Sequence, residues 1–380
     1  RDQKAPIQIR TPVEIDWTPE MAQKGGMPHF MLKEIHEQPK AVQNTLRIRS
    51  EEFEQLASLL NDANQVILTA AGTSFHACLY GGYLFAKLAR LNSQQIISSE
   101  LPEKLGETLT EKAIVLAISQ SGETSDTLSA INFTKGYGAK ISAITNVVGS
   151  SITRSADQFI YTRAGPEIGV AATKTFLVQI ATLALLGLNV AKVRGTLNDS
   201  EVREFQKHLL NIPHFIEQLI EKQEDYIKIT ADLLAAKPNF LFLGRGINTA
   251  TAMEGALKLK EISYIHAEAY PAGESKHGPI ALIEADFPVV FIAPSDNTFD
   301  RIIGNIMEMK ARGARILSVT DNQKVRDLSN HTFWIPSLIP DIFTPLVSIV
   351  PLQLFSYYSA IRRNHNPDKP RNLAKSVTVL

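Results

Sequence analysis

The hexapeptide Ser119-Gln120-Ser121-Gly122-Glu123-Thr124 follows an apolar run, residues 113–118, and precedes a helical pattern that starts at Ser125. The apolar run predicts a buried strand, so three hydroxyls, an amide and a glycine gather where a strand ends and a helix begins. The unpaired backbone N–H groups of a helix start favour an anion. The hexapeptide therefore predicts a phosphate cradle, although an ordinary polar loop with a Ser or Thr cap would have the same composition.

Alternating strand and helix patterns extend this unit along the chain. The segments 65–70, 94–98, 113–118 and 140–146 are predicted to be strands with helices between them, and a further strand begins at Asn239. This alternation predicts an α/β fold with doubly wound parallel sheets that are covered by helices on both faces. At 380 residues the chain is long enough for two domains.

The second half of the chain repeats the first. Four residue pairs are each separated by 174 positions, namely Gly72 and Gly246, Ser121 and Ser295, Thr124 and Thr298, and Asp126 and Asp300. A repeat of this size indicates a duplicated domain and not a solenoid. The second copy has Pro294 and Asp296 where the first has Gln120 and Gly122. Proline removes a donor and aspartate adds a negative charge, so we expect only the first copy to bind phosphate.

The overall composition excludes several classes of protein. Lys and Arg together number 39, as do Asp and Glu, so the chain has no basic field for nucleic acid. Its single cysteine, Cys78, excludes an internal disulfide and, with no signal peptide visible, fits a cytoplasmic location. The longest apolar run, 176–191, is predicted to be a buried helix too short to span a membrane. No His, Cys or carboxylate cluster has ligand spacing, so we expect no metal and no other cofactor.

A charged triad marks one helical pattern of the second half. Glu254, Lys258 and Glu261 fall at i, i+4 and i+7, which places all three on one helix face. On an exposed helix they would form a solvated ladder of ion pairs. Because apolar residues follow Glu261, this end of the face can instead be half-buried, where a carboxylate beside a lysine can act as a general base.

Two further segments have more than one interpretation. His277 lies in a loop rich in glycine and proline, where its ring can be structural or can exchange a proton with a ligand. The tail, residues 366–380, carries two prolines and an apolar end. It can be frayed, or it can pack against the body and present Lys375 as an amine nucleophile toward a carbonyl.

Five segments, in this order, resemble the isomerase half of the glucosamine-6-phosphate synthases, the glutamine:fructose-6-phosphate aminotransferase family. They are AAGTS at 70–74, SQSGET at 119–124, AGPEIGVA at 164–171, EGALKLKE at 254–261 and PRNLAKSVTV at 370–379. The SQSGET segment alone indicates only a sugar-isomerase (SIS) domain, whereas the tail is specific to this family. The resemblance implies two flavodoxin-like SIS domains at 29–198 and 199–365, after an interdomain linker at 1–28 and before a catalytic tail at 366–380.

The same resemblance implies roles for individual residues. It implies that the sugar phosphate is bound by eight residues, Thr73, Ser74, Ser119, Gln120, Ser121, Thr124, Val170 and Ala374. Lys375 would form a Schiff base with open-chain fructose 6-phosphate, and Glu261 would move a proton between C1 and C2. His277 would assist ring opening from the partner subunit of a homodimer, while Lys258 and Glu254 would orient these groups.

The implied reaction is the conversion of fructose 6-phosphate and ammonia to glucosamine 6-phosphate, at the start of amino-sugar biosynthesis. In the family a separate N-terminal glutaminase domain supplies the ammonia, and its nucleophile is the first cysteine. This sequence starts at Arg1, so we expect the chain not to use glutamine by itself. The alternatives are an isomerase or deglycase without amination, a sugar-phosphate sensor and a structural partner domain. The last two would need neither Glu261 nor Lys375.

Overall fold

The computed structural model describes residues 17–378. Residues 1–16 of the predicted linker, and residues 379 and 380 of the predicted tail, lie outside the described residues. A 3-10 turn, Pro19–Ala22, comes first, and the two α/β halves follow it.

The first half contains one parallel five-stranded sheet with strand order β2-β1-β3-β4-β5. Its strands are β1 (Gln65–Ala70), β2 (Gln94–Ile97), β3 (Ala113–Ser119), β4 (Lys140–Thr145) and β5 (Gln158–Tyr161). Its helices are α1 (Phe30–His36), α2 (Gln38–Thr45), α3 (Ser50–Asp62), α4 (Gly72–Ala89), α5 (Leu101–Leu105), α6 (Ser125–Lys135), α7 (Ser151–Ser155) and α8 (Lys174–Val193).

The second half contains a sheet of the same kind, with order β10-β9-β8-β6-β7. Its strands are β6 (Asn239–Gly244), β7 (His266–Pro271), β8 (Pro288–Ile292), β9 (Arg315–Thr320) and β10 (His331–Trp334). Its helices are α9 (Asp199–Leu234), α10 (Asn248–Ser263), α11 (Phe299–Lys310), α12 (Gln323–Leu328) and α13 (Pro345–Arg362).

Both sheets have the same topology. Counted within each half, the order is 2-1-3-4-5, the flavodoxin-like arrangement of doubly wound sheets. Strands β1 and β6 are offset by 174 residues at both ends, and α6 and α11 begin 174 residues apart. The predicted α/β fold of two duplicated, doubly wound parallel sheets is therefore confirmed.

The helices that face each other between the two sheets form a shared core. Its buried residues come from the inner faces of both sheets and from α4, α8, α9, α10 and α13. The outer face of each sheet has a separate, smaller core under its own short helices. The two halves are thus joined through their inner helices, because the apolar inner face of each half is shielded from water only when it packs against the other half.

The long connection α9 begins at Asp199, the first residue of the predicted second unit. The Asn198 side chain accepts hydrogen bonds from the backbone N–H groups of Ser200 and Glu201, and the Glu201 carboxylate accepts from Asn198 N. This reciprocal capping box satisfies donors that every helix start leaves unpaired.

One sequence expectation about helices needs correction. Helix α8 has 20 residues, which is long enough to cross a membrane, as is the segment Asp341–Arg362. Burial, not length, marks them as core helices, since 83% and 94% of their most apolar windows are buried. Helix α4 begins at Gly72, because the poor helix formers Thr73 and Ser74 are tolerated in a first turn.

Candidate active site

The predicted phosphate cradle lies at the carboxyl edge of β3. Ser119 is the last residue of the strand, and Thr124 is the N-cap residue of α6. Their hydroxyl oxygens are 3.1 Å apart, and Gly122 N donates to Ser119 Oγ at 3.0 Å. The Glu123 carboxylate accepts from Ser151 N at 2.6 Å, so its negative charge is tied to the start of α7. The loop thus has the shape of a compact cup that is rich in hydroxyls.

Gly122 is required by its conformation and by its surroundings. Its φ of +65° lies in the left-handed region, where side chains are strained. A Cβ atom there would lie 2.2 Å from Ser150 Oγ. The glycine therefore allows the cradle to close against the segment that precedes α7.

The equivalent loop of the second half is filled by its own carboxylate. Asp296 Oδ1 accepts from Thr298 N at 2.7 Å and from Thr298 Oγ1 at 2.6 Å, while Oδ2 accepts from Asn248 Nδ2 at 3.1 Å. Asp296 thereby uses the donors of Thr298, the N-cap residue of α11. This arrangement supports the prediction that the second loop does not take phosphate in the manner of the first.

The predicted acid–base triad is buried between the halves. Glu254 and Lys258 on α10 have 0% and 1% of their side chains exposed, whereas Glu261 has 20% exposed. Lys258 Nζ lies 2.5 Å from Glu261 Oε2 and 3.4 Å from Glu254 Oε1, and it donates to Thr73 Oγ1 at 3.0 Å. Thr73, on α4, donates in turn to Glu254 Oε1 at 3.0 Å. A solvated ion-pair ladder is therefore excluded.

Charge decides the protonation of the buried lysine. Burial by itself would lower the pKa of Lys258, but Glu254 and Glu261 outweigh it and raise that pKa above its usual value. Glu167 also contributes to this rise. Lys258 is thus a fixed cation that orders two carboxylates, one of them partly accessible.

The tail packs against both halves and is not frayed. Asp368 accepts from Phe30 N and Met31 N, both at 2.9 Å, and so caps the start of α1. The Arg371 guanidinium lies 4.1 Å from the ring centroid of Tyr264. Further along, the Val377 carbonyl accepts from Ser125 N at 3.0 Å, beside the cradle. These contacts carry the tail from the second half to the carboxyl edge of the first sheet.

Lys375 is held by the loop that contains Glu167. Its Nζ donates to Gly169 O at 2.8 Å and forms an ion pair with the fully buried Glu167. Thr173 N and Thr175 N donate to Glu167 Oε1 at 2.9 and 3.0 Å, and Thr175 Oγ1 donates to Oε2 at 2.6 Å. Burial would raise the pKa of Glu167, but Lys375 and these donors lower it. Lys375 thus pairs with a carboxylate that Thr173 and Thr175 already hold in position.

A second buried carboxylate, that of Glu34, binds the same loop. Glu34 accepts from Ile168 N at 2.5 Å and from Gly169 N at 3.2 Å. Burial, together with the nearby charge of Glu167, raises the pKa of Glu34 to about 7. Glu34 therefore changes charge near neutral pH, next to the loop that holds Lys375.

The structure does not bring every predicted residue into one cluster. His277 ends a 3-10 turn, Glu274–His277, and its exposed side chain makes no hydrogen bond or ion pair within residues 17–378. Ser74 Oγ accepts from Gln179 Nε2 at 2.9 Å, so it also ties α4 to α8. Val170 and Ala374 each lie next to a residue of the Lys375–Gly169 contact, and Ala374 is exposed. The binding and catalytic roles of these residues stay predictions.

Sequence reasoning missed three partners of the predicted site. Glu167 lay within a recognised segment but received no role, and its contact with Lys375 spans 208 positions. His76 Nδ1 donates to the buried Glu254 Oε2 at 2.7 Å, and its place one helical turn after Thr73 was the available signal. Glu34 had no signal beyond an acidic residue in an amphipathic helix. In the described part of the chain, no three His, Cys, Asp or Glu side chains are arranged to hold a metal ion.

Comparison with known proteins identifies the family of the chain. The SIS domain family matches residues 59–188 and 233–363, one match for each sheet. The glutamine–fructose-6-phosphate aminotransferase (isomerizing) of Thermococcus kodakarensis is 46% identical over 372 residues, covering 98% of this chain and 62% of the relative. The solved C-terminal domain of glucosamine-fructose-6-phosphate aminotransferase from Francisella tularensis is 35% identical with a TM-score of 0.84, covering 91% of this chain and 100% of that domain.

Glucosamine-6-phosphate deaminase from Thermotoga maritima has a TM-score of 0.74 at 23% identity, covering 92% of this chain and 99% of that one, and so shares the fold. Two parallel sheets, each matched by the same domain, define a double SIS-domain protein. The chain belongs to the family of C-terminal isomerase halves of the glutamine–fructose-6-phosphate aminotransferases. It spans 62% of the length of the Thermococcus relative.

Proposed function

We propose that this chain converts fructose 6-phosphate and ammonia to glucosamine 6-phosphate and water. Ammonia would come from a glutaminase domain of the kind that the family carries. One observation carries the proposal, namely the docking of the tail that brings Lys375 to the loop at Gly169 and Val377 to the helix behind the cradle. A sugar-phosphate sensor or a structural partner domain would not require a tail lysine held in this way.

In the proposed chemistry, one group of residues binds the phosphate and another carries out the reaction. The cradle, Ser119 to Thr124, holds the phosphate, and Lys375 Nζ attacks C2 of the open-chain ketose with loss of water to form an imine. Ammonia then displaces the lysine at C2. Glu261 removes a proton from C1 and returns it to C2, which leaves an aldehyde at C1 and the amine at C2. Lys258 and Glu254 orient Glu261, and Thr73, Ser74, Val170 and Ala374 line the sugar.

Isomerisation without amination is the second candidate. Water in place of ammonia would hydrolyse the imine back to the open-chain ketose. Glu261 would then move a proton from C1 to C2 of that ketose through an enediol, which gives the aldose. The high identity to aminotransferases over nearly the whole chain favours amination. Product analysis with fructose 6-phosphate, with and without ammonia, separates the two candidates.

Reductive trapping tests the assigned nucleophile. Borohydride added to the chain with fructose 6-phosphate should convert the imine into a stable adduct on Lys375, which peptide mass spectrometry can locate. The Lys375→Ala variant should give no adduct and no ammonia-dependent product, while still binding fructose 6-phosphate. Lys369→Ala is the matched control, because Lys369 is an exposed lysine of the same tail. An adduct elsewhere, or full activity of Lys375→Ala, would contradict the proposal.

His277 is proposed to act across a cytoplasmic homodimer. Its exposure on a turn, with no partner inside the described chain, supports a role toward a second subunit. Mixing the inactive variants Glu261→Gln and His277→Ala should restore activity, since some mixed dimers would contain one intact site. Mixed dimers that form and remain inactive would exclude a shared site. We propose no role in membranes or with nucleic acid.

A further inference from the structure

A cleft of about 250 Å³ lies at the carboxyl edge of the second sheet, separate from the predicted active site. Arg245 and Gly246 enter it from the end of β6, and Thr298 and Arg301 enter it from the start of α11, which follows β8. Strands β6 and β8 are the neighbours at which the strand order reverses. Ligands of open α/β sheets bind at this switch point. The cleft is therefore in the right place for a ligand of the second half.

The charge of the cleft favours an anion. Arg245 and Arg301 line it, and none of its described lining residues is acidic. Neither arginine forms an ion pair with any residue of the described chain, 17–378. Arg245 is half-buried, so its guanidinium has lost part of its hydration without gaining a carboxylate partner, and an anionic ligand would supply the missing opposite charge.

Nearby carboxylates are occupied by other groups. Asn305 accepts from Arg245 Nη1 at 2.8 Å and donates to Glu308 at 3.2 Å. It therefore bridges the guanidinium and the carboxylate, which form no direct ion pair. Glu308 pairs with Lys276 at 2.7 Å. Asp296 is bound at the start of α11. Both carboxylates are therefore satisfied without Arg245.

The position of Arg245 is fixed in advance. Besides its bond to Asn305, its guanidinium lies against Gly273, where a Cβ atom would be only 3.2 Å from Nη2. The glycine therefore makes room for the planar group. A guanidinium held at one edge keeps its remaining donors for a phosphate, which it can bind through two hydrogen bonds.

We infer that this cleft is a second anion site, which takes a small phosphate monoester such as a sugar phosphate. The two arginines would bind the phosphate, and not the loop that Asp296 fills, so the inference departs from the expectation that only the first copy binds phosphate. Its volume is below the range of roughly 300–1,000 Å³ that is typical of pockets for larger ligands. Tyr83, an exposed aromatic from α4, lines the same cleft and would cover the carbon skeleton of the ligand. Because Tyr83 belongs to the first half, the site would connect the two halves.

Calorimetric titration of the chain with fructose 6-phosphate tests this inference, with unphosphorylated fructose as the ligand control. The wild type should bind two equivalents per chain. Arg301→Gln removes an exposed side chain without disturbing packing, and it should weaken one of the two sites roughly 10- to 100-fold. Arg245→Gln should have the same effect, with circular dichroism to verify its fold. Arg326→Gln, which removes an exposed arginine elsewhere in the second half, should change nothing.

The cradle variant Ser121→Ala separates this site from the proposed active site, because it should weaken the other equivalent only. If the cradle did not bind the sugar phosphate, Ser121→Ala would titrate like the wild type while Arg301→Gln still lost a site. One equivalent in the wild type that Arg301→Gln leaves intact would overturn the second site. Equal weakening by Arg301→Gln and Arg326→Gln would also overturn it, because the effect would then be one of general charge.

Discussion

Replacing Lys258 by methionine should destabilise the protein far more than the loss of a surface lysine. Methionine keeps an unbranched apolar side chain in the same space, so the main change is the loss of the charge. The ammonium is 1% exposed and lies 2.5 Å from Glu261 and 3.4 Å from Glu254. Its removal leaves two carboxylates facing each other without their common cation. Removing one partner of a buried ion pair costs about 3–5 kcal/mol.

The loss of the Lys258 ammonium should destabilise the Glu261 carboxylate more than the Glu254 carboxylate. Glu254 keeps hydrogen bonds from Thr73 and His76, whereas Glu261 keeps no other hydrogen-bond partner within residues 17–378. Adding Glu254→Gln to Lys258→Met removes one negative charge but retains the amide oxygen for Thr73. We expect this second substitution to restore about 1–3 kcal/mol of the loss.

Urea titration gives the free energies of unfolding for these variants. Lys260→Met is the matched control, because Lys260 is an exposed lysine of the same helix and should change stability by less than about 0.5 kcal/mol. The reasoning would be refuted by a Lys258→Met protein within about 1 kcal/mol of the wild type. It would also be refuted if Glu254→Gln made the double variant less stable than Lys258→Met alone.

Three further outcomes are expected. Gly122→Ala should cost about 1–3 kcal/mol and weaken binding of fructose 6-phosphate by calorimetry, because φ is +65° and the new Cβ would meet Ser150; unchanged affinity would exclude a tight cradle. Glu34→Gln should flatten the pH dependence of stability. The folded pKa of Glu34, about 7, exceeds the unfolded value of 4.5, so its stabilising contribution is complete below 4.5 and is lost as pH rises through 7. Thermal unfolding between those values should therefore show the wild type losing stability relative to the variant, and parallel curves would contradict this. Asp368→Ala should release the tail from α1 and make it sensitive to limited proteolysis, and an equally protected tail would show that its other contacts suffice.

The local pattern of the sequence was sufficient for the sheets. Strand β1 has the predicted bounds, 65–70, and β6 begins at the predicted Asn239, because strands buried on both faces are largely continuous apolar segments. The 174-residue offset predicted the duplication, and the substitution of Asp296 for Gly122 predicted the difference between the two loops. The order of strands followed from the fold that the resemblance implied.

Tertiary structure decided which distant residues meet. The hexapeptide predicted the end of a strand, the start of a helix and a set of hydroxyl groups. All of these depend only on residues that are neighbours in the sequence. The contact of Lys375 with Glu167, the cap that Asp368 provides for α1 and the link from Thr73 to Lys258 join positions 180 to 340 residues apart, roughly, and depend on how two sheets pack through shared helices. The periodicity of apolar residues cannot predict such pairings, because it shows which face of a helix or strand is buried and not which distant residue packs against it. The same holds for the cleft at Arg245, whose guanidinium forms no ion pair with any carboxylate of residues 17–378 because of how the chain folds.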